Sequence, residues 1–200
     1  MNKHRMIVAN ISLSLDGRTS GPGGEYDMGW IVPHAITDAA RDHMIDVTSP
    51  ATTVLLGRKN YQGFGSYWPS VADNAEADPR DRAFSTWLNS VEKIAFSSTV
   101  KDGSWANSRV VNDDPVKVVE GLQKQKGGDI IILASSSVIK RLLEVDALDR
   151  LSITLCPEVA GGGAHLFEDG LPPSSWKLTQ STVTESGAIC LLYDRNRGTQ

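Results

Sequence analysis

Arg58 and Lys59 follow directly on Gly57, and Gly57 closes the apolar run Val54-Leu55-Leu56. The run reads as a buried strand and the glycine as the turn that ends it. A helix starting there aims free backbone N–H groups outward, where they hold anions, and a guanidinium adds a fork matched to phosphate oxygens. Similar chemistry recurs twice. Lys93-Ile-Ala-Phe-Ser97-Ser98 ends in hydroxyls, with Thr99 and Lys101 close behind, and Asp129-Ile-Ile-Ile-Leu-Ala134 runs into Ser135-Ser136-Ser137 and Val138 at a predicted helix start. For any one site, a helix cap or a solvated charge explains the residues as well as a ligand does. Three together point to one phosphate-bearing ligand, because ligands of open α/β sheets lie beyond the carboxyl ends of the parallel strands.

The elements that must position these groups follow from hydrophobic period and from punctuation. Residues 6–15 alternate and predict a first strand, closed by the turn pair Asp16-Gly17. Gly21, Pro22, Gly23, Gly24 and Gly29 predict a mobile loop. Ile36, Ala40, Met44 and Val47 recur at helical spacing and predict a helix over about 36–48. A strand over 53–57 and a short helix through Tyr61 come next, then a polar, acidic loop over 65–82 that contains Trp68-Pro69. A helix over 81–90 and strands at 93–98 and 110–111 precede Asp114-Pro115, an N-cap with proline at the first helical position. Gly127-Gly128 ends that helix, and 129–134 is continuously apolar, as a central parallel strand covered on both faces must be. A helix opened by Ser135–Ser137 carries Val138, Ile139, Leu142, Leu143 and Val145, a strand covers 151–159, and 160–173 is a Gly/Pro-rich loop. Segments 176–184 and 188–194 alternate around Glu185-Ser186-Gly187 and predict a closing antiparallel hairpin. The expected class is α/β, with a mainly parallel sheet and an antiparallel edge, in one domain over 1–200 with its core at about 6–194.

Bulk properties narrow the function. The 200 residues are 40% apolar and 22% charged, with a formal net charge of −4. That balance argues against a broad nucleic-acid or anionic-membrane surface. No run reaches the length of a membrane span, and the basic start, Met1-Asn-Lys-His-Arg-Met6, leads into a segment too polar for a signal-peptide core, so a cytoplasmic location is expected. Cys156 and Cys190 sit in apolar runs and read as reduced thiols. His4, His34, His43 and His165 lack paired ligand spacing, so no metal is expected. There is no Gly-x-Ser-x-Gly elbow, and Gly63-Phe64-Gly65 does not continue into a dinucleotide fingerprint.

In order and spacing, these segments resemble the dihydrofolate reductase-like superfamily, and most closely the reductase (C-terminal) domain family of bacterial riboflavin biosynthesis. Ile11-Ser-Leu-Ser-Leu-Asp-Gly-Arg18 is similar to the family's first strand and its turn. Leu55–Phe64 with Tyr67-Trp68-Pro69 is similar to its cofactor turn, Lys93–Ser98 to its strand ending in serines, and Ile130–Leu142 to its central strand, turn and helix. Pro157-Glu-Val-Ala-Gly-Gly-Gly-Ala-His-Leu-Phe-Glu-Asp-Gly170 is similar to a glycine-rich family segment. The resemblance spans about 6–194 and implies a three-layer dihydrofolate reductase-like fold, NADPH as cofactor and a homodimer. It implies that Gly57, Arg58, Lys59 and Asn60 hold cofactor phosphates. Ser97 and Ser98 face the 2′-phosphate with Arg58, and Ala134, Ser135, Ser136, Ser137 and Val138 meet the pyrophosphate. Ser12, Thr19 and Ser20 flank the nicotinamide, under a lid formed by 21–30. Asn10, Trp30, Gly161, Gly162 and Gly163 contact a small heterocyclic substrate, and Trp30, Tyr61 and Trp68 are candidates to stack it, or else pack the core.

Two departures qualify the resemblance. The family's turn after the central strand carries glycines where this chain has Ala134-Ser-Ser-Ser137. Folate-reducing members use one carboxylate on the first helix, and here Asp38 and Asp42 occupy that neighbourhood as the catalytic candidates, or form a solvated acidic face beside Arg41. Three functions stand as expectations. The first is an NADPH-dependent reductase acting on a pyrimidinone- or pterin-like heterocycle, resembling 5-amino-6-(5-phosphoribosylamino)uracil reductase. The others are a non-catalytic nucleotide-binding sensor on the same fold and a true dihydrofolate reductase.

Overall fold

The computed structural model describes residues 4–100 and 103–198. Lys101 lies outside them. In chain order the elements are β1 (Ile7–Leu13), a 3-10 turn (Gly29–Ile31), α1 (Val32–Ala35), α2 (Asp38–Thr48), β2 (Ala51–Gly57), α3 (Arg58–Val71), α4 (Pro79–Ser90), β3 (Glu92–Phe96), β4 (Ser108–Val111), α5 (Pro115–Gln123), β5 (Asp129–Leu133), α6 (Ser136–Leu143), β6 (Arg150–Leu155), β7 (Trp176–Val183) and β8 (Ile189–Arg195).

Eight strands form one sheet in the order β4-β3-β2-β5-β1-β6-β8-β7. β1 to β6 run parallel, and the β7–β8 hairpin joins antiparallel through β6. The centre is β5, whose Ile130, Ile131, Ile132 and Leu133 are at most 1% exposed. Burial of each such side chain stabilises by about 1.5–3 kcal/mol. Alternation divides them between the two faces: Ile130 and Ile132 join the layer containing α5 and α6, and Ile131 and Leu133 the layer containing α2, α3 and α4. Asp114 caps α5 as the sequence suggests, accepting from Val116 N with proline next; Asp78 does the same for α4, accepting from Arg80 N, so that helix starts at Pro79, ahead of the expected 81.

Two segments differ from expectation. The loop expected from 65 is helix through Val71, with Pro69 inside it. Tyr61, Phe64, Trp68 and Val71 lie at helical spacing and pack against α4, and that packing outweighs the local cost of the proline. Trp68 stacks edge-on against Phe84 at 4.6 Å, and Tyr61 lies 6.1 Å from Trp105, so both aromatics serve the core and not a ligand. The strand expected over 151–159 ends at Leu155: Cys156 N still bonds Leu13 O, and Pro157, which has no N–H, cannot extend the ladder.

Candidate functional site

Four parallel strands end side by side, in the order β3, β2, β5, β1. Phe96, beside Ser97, is paired with Gly57. Gly57 N donates to Ser135 Oγ at 2.8 Å, and Ala134 N donates to Asn10 O at 2.9 Å. With about 4.8 Å between strands, the row runs about 14 Å from β3 to β1. Sequence-distant candidates 10–12, 57–60, 97–98 and 134–138 are therefore neighbours along one groove.

The middle of the row has the chemistry of an anion cradle. α3 and α6 both start there, so the first N–H groups of two helices face the same space. A Cβ on Gly57 would stand 3.6 Å from Ser137 Oγ and 3.7 Å from Ser135 Cβ, so the missing side chain keeps the gap between the two helix starts open. Asn60 Nδ2 braces the cradle through Ala134 O and Ser135 Oγ. Ser135 Oγ also donates to Leu133 O and is buried, so it ties β2 to β5 and offers a ligand only its backbone. Ser97 Oγ accepts from Thr99 N and Val100 N, which closes its own turn, and Ser98 is exposed beside it. Ser136 and Ser137 make no side-chain bond among the described residues. Val138 is buried core, so any contact it makes is through its N–H, which already bonds Ser135 O.

Ala134 has φ +50°, a left-handed conformation, at the position where the sequence departs from a glycine turn. A Cβ in that region costs about 1 kcal/mol. Ala134→Gly is expected to raise stability by about 0.5–1 kcal/mol, a rise in Tm of roughly 2 °C read by calorimetry. An unchanged or lower Tm would show that the turn is unstrained.

At the β1 end two loops are zipped together. Thr19 N donates to Ala164 O, Ser20 Oγ accepts from Ala164 N, and Arg18 Nη1 reaches Gly163 O. Gly163, at φ +89°, lies so close to the Ser20 carbonyl that any Cβ would collide with it. Asp16 is the clasp: it accepts from Ser14 Oγ at 2.6 Å, Ala160 N at 2.9 Å and Gly161 N at 3.0 Å. Those bonds, the Ser14 hydroxyl first, hold its carboxyl far below the usual carboxylate range. A depressed carboxylate stabilises above its unfolded pKa and loses that contribution as pH falls through the folded value, so the clasp opens only in strong acid. Asp16→Ala is expected to speed amide exchange at Ala160 and Gly161 by at least about tenfold, with little change at β5. Equal acceleration at β5 would mean the residue serves global stability instead. Sequence reading saw only a turn in Asp16-Gly17, although the acid was in plain view.

The 21–30 segment reaches over the row. Glu25 forms an ion pair with Lys59 Nζ, which lies 5.4 Å from the centre of the Tyr26 ring. Trp30 sits in the 3-10 turn at the end of this segment, and its Nε1 is buried with no partner among the described residues. Ser12 is half-buried, paired in register with Thr154 on β6, and Asn10 is buried.

Asp38 and Asp42, the catalytic candidates on α2, stand away from the row of strand ends. Both side chains are about two-thirds exposed, at 67% and 64%, and Arg80 engages both. Ala40, His43 and Val47 take the inward side of α2, so the two carboxylates face outward toward α4. Sequence reading also passed over His43, which lies under α2 against Ser152. Two cavities elsewhere, one walled by Leu143, Phe167 and Trp176 and one by His4, Val116 and Arg197, share no residue with the row.

Residues 5–190 match the sequence model of the RibD C-terminal domain. Among curated proteins, the chain is 26% identical over 195 residues to the uncharacterized protein YyaP of Bacillus subtilis (strain 168), covering 97% of each. Among solved structures, a putative riboflavin biosynthesis protein from Shewanella sp. PV-4 superposes with a TM-score of 0.70 at 20% identity, over 96% of this chain and 99% of that one. Dihydrofolate reductase from Enterococcus faecalis, complexed with NADP(H), superposes with a TM-score of 0.60 at 18% identity, over 98% and 99%. The fold is thus dihydrofolate reductase-like, and the family match runs over nearly the whole sequence: the chain belongs to the RibD C-terminal domain family.

Proposed function

We propose that this protein is an NADPH-dependent reductase of a small pyrimidinone- or pterin-like heterocycle, similar to 5-amino-6-(5-phosphoribosylamino)uracil reductase, working as a cytoplasmic homodimer. The observation that carries the reading is the paired helix starts at Gly57 and Ser136 on one row of strand ends. They fit a pyrophosphate, and Arg58, at the first position of α3 and half-exposed, fits an additional phosphate. Bound there, the nicotinamide would supply a hydride to an acceptor C=N or C=O carbon of the substrate. The chain's own work is positioning. Ser12, Thr19 and Ser20 border the β1 end, Gly161–Gly163 are pinned there by Asp16 and Arg18, and Trp30 offers an unpaired N–H. Lys59 gives up Glu25 as the phosphates arrive, and residues 21–30 then exclude water from the reacting atoms. The balancing proton comes from solvent, since no α2 carboxylate faces the sheet. The dimer reading draws on β7, the outermost strand, with Leu178 and Val183 exposed.

A nucleotide sensor without turnover remains the second reading, favoured by the outward-facing Asp38 and Asp42. Titration with NADPH, followed by nicotinamide fluorescence, and a screen of dihydropterins and pyrimidinones for NADPH oxidation separate the two. Binding with turnover supports the reductase, binding alone the sensor, and no binding removes both. Gly57→Ala sharpens the test. Its new methyl meets only ordinary contacts, so Tm should hold while NADPH affinity falls about tenfold or more. Undiminished affinity would place the phosphates elsewhere.

A further inference from the structure

Beneath α2 the sheet is polar where a core would normally be apolar. Asn10 on β1 and Ser152 on β6 are register partners, and His43 descends on them from α2. Asn10 Nδ2 donates to Ser152 Oγ at 3.0 Å, and Ser152 Oγ lies 2.8 Å from His43 Nε2. All three residues are buried, Ser152 completely.

Proton counting constrains this chain. A serine hydroxyl has one proton to give. Ser152 Oγ has no partner among the described residues besides Asn10 and His43. If it accepts from Asn10 Nδ2, its own proton goes to His43 Nε2, and the imidazole carries its proton on Nδ1. Burial keeps the ring neutral by lowering its pKa, against a weaker opposing pull from Asp46. With Nδ2 committed, the amide's other atom is Oδ1. It has no hydrogen-bond partner among the described residues, yet it is not among the side-chain atoms sealed from solvent, whereas His43 Nδ1 is. Asn10 is paired with Leu133, the last residue of β5, directly below the row of strand ends.

We propose that Asn10 determines substrate choice by presenting Oδ1 as a fixed acceptor for a ring N–H, and that His43, acting through Ser152, is the positioning residue that holds the amide in that sense. The preferred substrate class is a lactam-type heterocycle whose N–H borders the reducible part of the ring. The ligand half of this inference rests on the reductase reading, and the relay half does not. The reverse arrangement, with His43 Nε2–H donating to Ser152 and Ser152 to Asn10 Oδ1, would turn Nδ2 outward and select a ring nitrogen lone pair instead.

Two measurements decide it. In the wild-type protein labelled with ¹⁵N-histidine, long-range ¹H–¹⁵N correlation should show His43 as the Nδ1–H tautomer. A protonated Nε2 overturns the relay. Next, NADPH-loaded protein is titrated with a pyrimidinone and with the oxazinone in which oxygen replaces the ring N–H. The wild type should favour the N–H compound on the order of tenfold, as expected for leaving a desolvated acceptor unpaired. Ser152→Ala should bring the ratio near unity with NADPH affinity unchanged, and Ser152→Thr, which retains the hydroxyl, should preserve it. A preference that survives Ser152→Ala, or an equal loss of both compounds, overturns the assignment. If NADPH itself does not bind, the reductase reading falls, and the imidazole spectrum still decides the relay.

Discussion

Arg58→Ala is expected to weaken NADPH binding about 10–100-fold and to leave NADH within a factor of about two. The asymmetry follows from what each group can touch. The pyrophosphate, common to both cofactors, would be held by backbone N–H groups at the starts of α3 and α6, which the substitution leaves in place. The guanidinium stands at the first position of α3, beside the end of β3, where an additional phosphate would meet it. Its present bond, from Nη1 to Gln62 Oε1 at 3.2 Å, is exposed and easily exchanged for a charge-assisted one. Fluorescence titrations with both nucleotides at fixed salt measure the ratio, and the gap should narrow as salt rises. Equal weakening of NADPH and NADH would move Arg58 to the shared pyrophosphate and leave cofactor choice unexplained.

Lys93→Met is expected to cost about 2–4 kcal/mol of stability at pH 7 without altering the groove. Lys93 is a fully buried cation on β3. Its Nζ donates to Leu88 O and Val91 O at 2.7 Å each and to Asn89 O at 3.3 Å, and it lies 4.9 Å from the centre of the Trp105 ring. It therefore caps the C-terminal end of α4, where carbonyls and the helix dipole favour a cation. Methionine fills the volume but leaves those carbonyls unpaired. Burial pushes the ammonium pKa down to about 8 from 10.5. The carbonyls and the indole face oppose that fall, which bounds the effect. The unfolded chain then holds a proton that the folded chain releases between pH 8 and 10.5. Wild-type stability should thus rise through that window by at most about 3 kcal/mol. Below pH 8 the wild type carries the full burial penalty of the ammonium and the methionine variant carries none, so the deficit of Lys93→Met should grow with alkaline pH. Denaturant unfolding at pH 7 and pH 10 tests the sign. A deficit that shrinks on raising the pH would show that the ammonium is better solvated than its burial implies.

Much of the fold was legible because its signals are local. The apolar run 129–133, the proline-led helix start at 115 and the alternating hairpin each specify an element from adjacent residues. Pro69 misled, because proline reports a local cost, whereas the spacing of 61, 64, 68 and 71 reports a face that only α4 makes valuable. The inward side of α2 was legible in part, since Ala40 and Val47 are buried as expected. Ile36 looked like its first inward residue but is 54% exposed, while His43 and Thr48 are buried. Where the sheet beneath a helix is polar, hydrophobic period no longer reports which side faces in. Asp38 and Asp42 were named from the family resemblance, which gives a neighbourhood on the helix and not the direction of a side chain.

By itself, the sequence determined that strands end at Gly57, beside Ser97 and before Ala134–Ser137, since strand runs, turn residues and helix starts are read within a few positions. Only the tertiary structure decided that these ends stand in one row and that Asp16 clasps residues 160–161. It also turned the α2 acids outward and joined residues 10, 43 and 152 into one buried chain. Those outcomes depend on strand order and register, which bring together residues more than a hundred positions apart and leave no trace in local spacing.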